Sequence, residues 1–274
     1  MITQIRKWIR TVIMLLLGIT MIMPFVWMIS ASLKLPINVY EYPVKWIPDE
    51  FHFENYAEVW FGKYPFSTYY LNSIKIAVIN VTGIILTSTM AGYAFAKIQF
   101  KFREQLFLLF LATMMIPGQV TLIPTFIMFN KFQILDTHWA LVLPGVFSTF
   151  GVFMIRQFML QIPNELLEAA KIDGAGYFRI WYSIMLPACK AAIASLCILT
   201  FTWNWCNYMA PLVFLTKQKL YTIPLGMSNF LLTEKTQLTL IMAASVTSTV
   251  PMILVFLGGQ KYFIRGIVTS GLKG

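Results

Sequence analysis

Long apolar windows without charged residues dominate the pattern of hydrophobic and polar positions along the chain. Six such windows, separated by shorter polar stretches, cover residues 11–31, 76–96, 106–129, 139–155, 191–216 and 236–259. Each is about as long as a helix that crosses a bilayer, and the fourth is the shortest. The pattern predicts an all-α integral membrane protein with six transmembrane helices, which form a single transmembrane domain over residues 1–274.

The longest amphipathic segment lies between the fourth and fifth windows and runs from Glu165 to Pro187. Asn164 can cap a helix that carries Glu165 and Glu168 near its positive end, which favours acidic groups. Gly174 is expected to end this helix because glycine tolerates the left-handed conformation. A second helix follows and ends near Pro187. The pattern therefore predicts two short helices joined by a hinge at a membrane surface, and two ordinary interfacial helices are the alternative.

Composition and charge place the chain in a membrane and suggest its orientation. Hydrophobic residues make up 58% of the chain and charged residues 12%, with a mean hydropathy of +0.70, which excludes an ordinary soluble domain. The net charge of +10 does not indicate nucleic-acid binding, because the basic residues are scattered at the edges of the apolar windows. If both termini are cytoplasmic, 13 of the 21 basic residues and four of the 11 acidic residues lie inside. Because basic residues concentrate on the cytoplasmic side, we predict that both termini are cytoplasmic, that residues 158–190 form a cytoplasmic loop between the fourth and fifth spans, and that residues 33–75 form an outer loop.

The first window could be a signal peptide or a retained span, and the outer loop could have either of two roles. Basic residues precede the first window and Ser30-Ala31-Ser32 follows it, as in a signal peptide. The apolar stretch is longer than in a signal peptide and contains Pro24 and Trp27, so we expect it to be retained. The proline- and aromatic-rich outer loop is expected to fold along the outer membrane surface, either as a docking surface or as a spacer with interfacial anchors.

No constellation of catalytic or metal-ligating residues is visible in the sequence. The three cysteines lack metal-ligand spacing, and His52 and His138 are isolated from any nucleophile or carboxylate pair. No nucleotide-binding loop of the G-x-x-x-x-G-K-S/T kind occurs in the chain. We therefore expect a transport protein without catalytic residues, metal site or bound cofactor, and any ATPase that drives it must be a separate polypeptide.

The amphipathic segment resembles the EAA loop of the membrane subunits of ATP-binding-cassette (ABC) importers. The resemblance is carried by Glu168-Ala169-Ala170, by Gly174 after three residues, and by Ile184, Leu186 and Pro187 after nine more. In that family the loop contains a coupling helix that sits in a cleft of the cytoplasmic ATPase. We call residues 158–190 the EAA loop. The resemblance implies an ATPase-coupling role for Glu165, Glu168, Ala169, Ala170, Asp173, Gly174, Ile184, Leu186 and Pro187.

Shorter motifs resemble the carbohydrate-uptake, maltose-transporter-like branch of these permeases. They include Asn72-Ser73, Ala91-Gly92-Tyr93-Ala94, Met115-Ile116-Pro117 and the ending Gly271-Leu272-Lys273-Gly274. The resemblance implies a sugar importer in the cell membrane, with an oligosaccharide as the expected substrate. Its expected partners are a second, similar permease subunit, a dimer of cytoplasmic ATPase subunits that bind ATP and Mg²⁺, and an extracytoplasmic sugar-binding protein. The chain departs from the branch at Trp205-Cys206-Asn207-Tyr208, where many members carry Trp-Asn-acid-aromatic.

Three further groups of residues are candidate sites, each with a structural alternative. Amides and indoles suit neutral, hydroxyl-rich sugars, although amides also join membrane helices to one another. The candidates for the substrate path are Asn80, Gln119, Trp203, Asn204, Trp205 and Asn207. The tail residues Arg265, Lys273 and Gly274 are candidates for the ATPase interface or for a basic membrane anchor. The predicted loop between the last two windows, around Tyr221, Pro224 and Leu225, is either a contact for the binding protein or a structural hairpin.

Two other functions remain as alternatives. An importer permease for another solute, such as a polyol phosphate, would favour a basic group in the path, and the six windows contain none. A self-sufficient secondary carrier normally needs a titratable residue at membrane depth and interrupted spans. The uncharged windows therefore favour a transporter whose energy comes from outside the membrane.

Overall fold

The structure is a computed structural model that describes the backbone of residues 2–63, 66–232 and 238–271, with side chains for residues 4–63, 66–230 and 238–261. Every regular element among these residues is helical, which confirms the all-α prediction. The α-helices are α1 (Ile2–Ser32), α2 (Glu54–Phe61), α3 (Phe66–Lys97), α4 (Arg103–Ala112), α5 (Gly118–Lys131), α6 (Trp139–Gly145), α7 (Thr149–Leu160), α8 (Glu165–Ile172), α9 (Tyr177–Ile180), α10 (Leu186–Ala188), α11 (Lys190–Trp205), α12 (Met209–Phe214), α13 (Ile223–Leu232) and α14 (Leu238–Gly271). A π-helical turn, Trp181–Met185, joins α9 to α10.

Four helical stretches in the described part of the chain are long and apolar enough to cross a membrane. They are Gln4–Ser32, Phe66–Lys97, Trp139–Leu160 and Leu238–Lys261. Two further candidates are bent pairs of helices: Arg103–Met115 with Gly118–Lys131, bent by 93°, and Tyr177–Ala188 with Lys190–Trp205, bent by 79°. The number of spans reaches six if each bent pair is one span. The fold is that of a multi-pass membrane protein.

The third window is a broken helix instead of the expected continuous one. Ile116 has extended backbone angles, φ −84° and ψ 112°, and Pro117 follows it. A proline disfavours the helical conformation of the residue before it, so α4 and its last turn end at Met115 and α5 starts anew at Gly118. The fifth window is also interrupted, because α11 ends at Trp205 and the Asn207 Oδ1 atom accepts the backbone N–H of Ala210 at the start of α12.

The fourth span is longer than its uncharged window because it includes Arg156. This side chain is only 8% exposed. Its Nε atom donates to the carbonyl of Phe95, 3.2 Å away, and its Nη2 atom donates to both carboxylate oxygens of Glu104, at 3.0 and 2.8 Å. The guanidinium also lies over the ring of Phe107, 4.0 Å from its centroid. Arg156 thus connects α7 to α3 and α4, and its charge is neutralised where it enters the apolar layer.

The described residues form two compact units. The first comprises Met1–Ser67 and Gly226–Val250. Within it, the chain after α1 folds back on the end of that helix: the Asn55 side chain donates to the carbonyls of Ser32 and Lys34, at 3.0 and 2.9 Å. The ammonium of Lys34, a residue that is only 4% exposed, donates to the carbonyl of Lys45. Residues 33–63 are therefore a folded segment held by main-chain acceptors.

The second unit, Thr68–Leu225 with Pro251–Gly274, contains the EAA loop. Its helices approach closely at glycines. A Cβ atom on Gly92 would lie 2.8 Å from a methyl group of Ile155, and one on Gly151 would lie 2.4 Å from the hydroxyl of Ser88. Small residues at such crossings let the backbones of membrane helices meet. Helix α3 therefore approaches α7 closely at these two crossings.

Polar contacts fix the segment between α12 and α13 at the start of α3. The Asn72 side chain donates to the carbonyls of Lys219 and Tyr221, and the Ser73 hydroxyl accepts the N–H of Ile223. Asp136, with φ 56°, accepts the backbone N–H and the hydroxyl of Thr216. The backbone and side-chain hydrogen bonds from Thr216 lower the pKa of Asp136. This segment is consequently an ordered hairpin.

Candidate functional site

Helix α8 ends at Ile172, and Gly174 forms the left-handed turn that stops it, as the sequence predicts. Gly174 has φ +79°, and its N–H donates to the carbonyl of Lys171 at 3.0 Å. The N–H of Ala175 reaches back to the carbonyl of Ala170 at 2.9 Å. These two bonds form a Schellman motif, in which a left-handed residue satisfies the last carbonyls of a helix. The hinge of the EAA loop is therefore a defined turn.

One face of α8 packs on the protein and the other is exposed. Leu167 is 6% exposed and is the buried residue of the helix, while Ala170 is half-buried beside it. Glu165, Glu168 and Ala169 are exposed. Burial of one leucine contributes about 2 kcal/mol. The helix is thus held by a narrow contact and presents its two acidic residues outward.

The second half of the EAA loop is much more deeply buried. Ile180, Trp181 and Met185 are at most 6% exposed and belong to one core cluster with residues of α3, α7 and α11. Ile184 and Leu186 pack against this cluster, and Pro187 is exposed. The π-helical turn Trp181–Met185 has i→i+5 hydrogen bonds in place of the i→i+4 bonds of an α-helix. Through this half of the loop, α8 is connected to three helices of the second unit.

Large apolar side chains remain exposed around the hinge. Their exposed fractions range from 51% to 87%, and they are Leu166, Ile172, Tyr177, Phe178 and Tyr182. Contiguous exposed apolar side chains on a folded protein mark a protein or membrane contact. The EAA loop thus combines an acidic helix start with an apolar surface beside it.

Asn164 does not cap α8, contrary to the sequence-based expectation. Its backbone already has helical angles, φ −73° and ψ −24°, and its side chain makes no capping bond. Instead its Oδ1 atom accepts a hydrogen bond of 2.7 Å from the ammonium of Lys97. The same ammonium donates to the carbonyl of Ile162 at 2.6 Å. Because Lys97 lies 67 residues away in the sequence, local pattern could not reveal this partner.

The structure brings two of the candidate path residues together. The Asn80 side chain is 1% exposed and donates to Asn204 Oδ1 at 2.5 Å. A Cβ atom on Gly145 would collide with Asn80, so this amide sits where α3 and α6 touch. Such a buried contact is typical of helix packing in membranes. Asn80 and Asn204 therefore join α3 to α11 in this structure.

The remaining path candidates differ in exposure. Trp205 is 3% exposed, with its ring stacked on Phe201 and edge-on to Tyr70. Trp203 is 53% exposed, and its ring forms a T-shaped pair with that of Phe150. Gln119 and Asn207 are exposed. Trp203 and the two polar side chains are thus exposed on the surface of this chain, whereas Trp205 is packed inside the unit.

The other candidates are placed as follows. Leu225 is 3% exposed in a core cluster, while Tyr221 is half-buried on the hairpin and Pro224 is half-buried at the start of α13. Arg265 falls in α14, but its side chain is outside the described residues, as are Lys273 and Gly274 entirely. Lys97 and the Arg156–Glu104 pair were not predicted from the sequence. Lys97 and Glu104 follow the motif Ala91-Gly92-Tyr93-Ala94, and Arg156 precedes the EAA loop. These positions beside two family-like motifs were the signal that could have identified them.

The comparison with protein families shows which family the chain belongs to. The model of the family described as "Binding-protein-dependent transport system inner membrane component" matches residues 83–269. The chain belongs to this family. It is accordingly a permease subunit of an ABC importer, a transport component and not an enzyme. Membership implies an ATPase and a substrate-binding protein as partners.

Relatives of known name cover nearly the whole chain. The arabinooligosaccharides transport system permease protein AraQ of Halalkalibacterium halodurans is 31% identical, over 99% of this chain and 98% of the relative. The sn-glycerol-3-phosphate transport system permease protein UgpE of Yersinia pestis is 33% identical, over 94% and 95%. The fold matches a solved chain of a bacterial ABC transporter involved in the import of the acidic polysaccharide alginate. That match has a TM-score of 0.85 at 22% identity and covers 95% of this chain and 97% of the other.

The hinge can be tested with the same substitution at two neighbouring glycines. Gly174→Ser places a side chain at φ +79° and should destabilise the end of α8 by about 1 kcal/mol. Gly176, at φ −71° before α9, has open space around it and occupies an N-cap position, where serine is favoured. Tryptic cleavage after Lys171 should therefore become about fivefold faster in Gly174→Ser only. Equal cleavage of the two variants would show that the left-handed turn does not hold the hinge.

Proposed function

We propose that this chain forms half of the translocation path of an ATP-driven oligosaccharide importer and is coupled to its ATPase through the EAA loop. The observation that carries the proposal is the two-sided arrangement of α8. Glu165, Glu168 and Ala169 face outward on a helix whose opposite side carries the buried Leu167. An exposed helix with an acidic first turn, next to exposed aromatic side chains, is a surface that fits a protein cleft.

In the assembled transporter a second, similar permease subunit supplies the other half of the path. A dimer of ATPase subunits lies in the cytoplasm, on the side of both termini, and engages the two EAA loops. When ATP draws the ATPase subunits together, each α8 moves with its cleft, and the permease spans open outward. Hydrolysis resets them. ATP and Mg²⁺ are bound by the partner ATPase in this scheme, since this chain has no nucleotide-binding loop.

The outer face and the tail are assigned further contacts in this proposal. The hairpin between α12 and α13 presents Tyr221 and Pro224 to an extracytoplasmic sugar-binding protein, with Leu225 as its packed base. The order imposed by Asn72 and Asp136 suits a docking surface, because a preformed loop loses little conformational freedom on binding. The tail residues Arg265, Lys273 and Gly274 are assigned to the ATPase interface in the same scheme, as the family resemblance implies.

A neutral oligosaccharide is the substrate that the accessible side chains favour. Trp203 offers an exposed apolar ring face, and Asn207 and Gln119 are exposed amides. Sugars combine hydroxyl groups with apolar ring faces, so indoles and amides suit both parts of them. The likeness to AraQ, whose name specifies arabino-oligosaccharides, points the same way.

A phosphorylated polyol is the second candidate, and two observations favour it. UgpE, named for sn-glycerol-3-phosphate, is as similar to the chain as AraQ. Lys75 is exposed on α3, just outside the uncharged second window. An exposed cation within a membrane-spanning helix is the group that an anionic substrate would use. The two substrate classes therefore depend on different residues.

The coupling role predicts that a charge reversal on α8 releases the ATPase. Glu168→Lys should reduce the ATPase subunit that co-purifies with the permease by about tenfold, the cost of disturbing a close charge pair at an interface. Glu50→Lys makes the same charge change in the predicted outer loop, at a side chain that is 83% exposed, and should retain the ATPase. Each variant is first checked for membrane insertion.

The coupling role is wrong if Glu168→Lys inserts normally and retains both the ATPase subunit and substrate-stimulated hydrolysis. Transport by the purified chain alone, without ATP, would likewise contradict it and favour a secondary carrier. A loss in both Glu168→Lys and Glu50→Lys would indicate a general sensitivity to charge and would also count against a specific role for α8.

The substrate class can be tested with the two tryptophans of α11. Trp203→Ala should lower the apparent affinity for an oligosaccharide about tenfold, because one ring face is lost, while the thermal midpoint of unfolding hardly changes. Trp205→Ala removes a packed ring and should destabilise the unit by about 3–5 kcal/mol. Uptake of radiolabelled solutes into proteoliposomes measures the first effect. A Lys75→Gln variant that loses glycerol-phosphate uptake, beside an unaffected Trp203→Ala, would favour the phosphorylated polyol.

A further inference from the structure

Lys97 occupies a junction between α3 and the EAA loop. It is the last residue of α3, and its ammonium donates to the carbonyl of Ile162 and to the side chain of Asn164. These two acceptors flank Pro163 and lie directly before α8. The ammonium also sits at the negative end of the α3 dipole, which favours a cation there. One side chain thus connects the end of a membrane-spanning helix to the base of α8.

In the part of the chain that the structure describes, Lys97 is the one side chain that makes such a connection at the base of α8. Among the described residues, the side-chain hydrogen bonds that join residues 161–176 to another part of the chain come from Lys97 alone. The remaining hold on α8 is the apolar contact of Leu167 and its half-buried neighbour Ala170. Apolar contacts permit sliding, whereas two short hydrogen bonds from one charged group fix a position.

The end of α3 is itself fixed to two other helices. Arg156 of α7 donates to the carbonyl of Phe95, two residues before Lys97, and to the carboxylate of Glu104 on α4. The next residue after Lys97, Ile98, receives a hydrogen bond on its carbonyl from Arg103. The end of α3 is therefore hydrogen-bonded to its neighbours, so that a displacement of residues 162–164 acts on α3, α4 and α7 together.

We propose that Lys97 is a positioning residue that transmits the movement of α8 to α3. The inference rests on the proposed coupling function of the EAA loop and adds to it a residue outside the loop. Lys97 acts through Ile162 and Asn164, and the exposed face of α8 contacts the ATPase without it. Loss of Lys97 should therefore leave the ATPase bound but make its hydrolysis independent of the transported solute.

The experiment uses the complete transporter in proteoliposomes and measures the solute transported per ATP hydrolysed. Lys97→Met keeps the length of the side chain and removes the donor. This ratio should fall about tenfold in that variant, which is the loss expected when a charged hydrogen bond no longer couples two sites. Lys97→Arg restores donors to both acceptors and should recover at least half of the parental ratio. Asn164→Ala removes one of the two acceptors and should give an intermediate loss, about threefold.

Lys101→Met is the matched control. Lys101 is an exposed lysine on the α3–α4 connection that lies over the ring of Phe102, 4.9 Å from its centroid, and no hydrogen bond or ion pair among the described residues joins it to the EAA loop. This variant should match the parent. Co-purification of the ATPase subunit separates the two levels of the inference, since Lys97→Met should retain it and Glu168→Lys should not.

Three results would overturn the role of Lys97. One is a parental transport-to-hydrolysis ratio in Lys97→Met, and another is an equal loss in Lys97→Met and Lys97→Arg. The third is the loss of the ATPase subunit from Lys97→Met, which would make Lys97 part of the docking surface. If Lys97→Met does not insert, Asn164→Ala decides the question, because a parental ratio there would contradict the proposal. Failure of the proposed function itself would show in Glu168→Lys, whatever Lys97 does.

Discussion

The packing of the EAA loop against α3, α7 and α11 is the contact on which the rest of this structure depends. Ile180, Trp181 and Met185 are buried in one cluster with residues of all three helices. A helix that lay only on the lipid headgroups could move without moving the membrane-spanning helices. Because the second half of the loop is part of the same core as the spans, a force applied to α8 reaches them through packed side chains, and Lys97 adds a polar connection at the other end of α8.

Next to this cluster, two basic side chains have their charges satisfied by hydrogen bonds. Arg156 is almost buried, and its guanidinium is satisfied by Glu104 and the carbonyl of Phe95. An unpaired charge at this depth would be costly, so the pair is formed where three helices meet. Lys97 follows the same rule with neutral acceptors. These polar contacts lie next to the apolar cluster and brace it, while the far end of α3 is fixed separately by Asn72 and Ser73.

Much of this organisation could be predicted from local sequence. Uncharged windows located the apolar helices, and the spacing around Glu168 and Gly174 located α8 and its left-handed turn. The break before Pro117 was also readable in principle, because a proline restricts the residue before it. Length and hydropathy alone gave the third window as one helix, since they carry no information on backbone angles.

Contacts between distant residues could not be predicted in this way. Asn164 has the local signature of an N-cap, yet its partner is Lys97 on α3. Asn80 and Asn204 are 124 residues apart and meet only because α3 packs against α6 and α11. A single sequence gives the residue types that suit a sugar or a helix contact, and only the packed structure distinguishes the buried Trp205 from the exposed Trp203.

The most direct measurement of the coupling path is the distance between spin labels on α8 and α3 in the assembled transporter. Ile172 is 87% exposed and Met90 is 46% exposed, so both accept a label in a variant whose three native cysteines are replaced. If α8 and α3 move together, the Ile172–Met90 distance stays the same with and without ATP, while the distance from Ile172 to a label on the second permease subunit changes. A change in the Ile172–Met90 distance on addition of ATP would show that α8 slides over α3, and would contradict transmission through their contact.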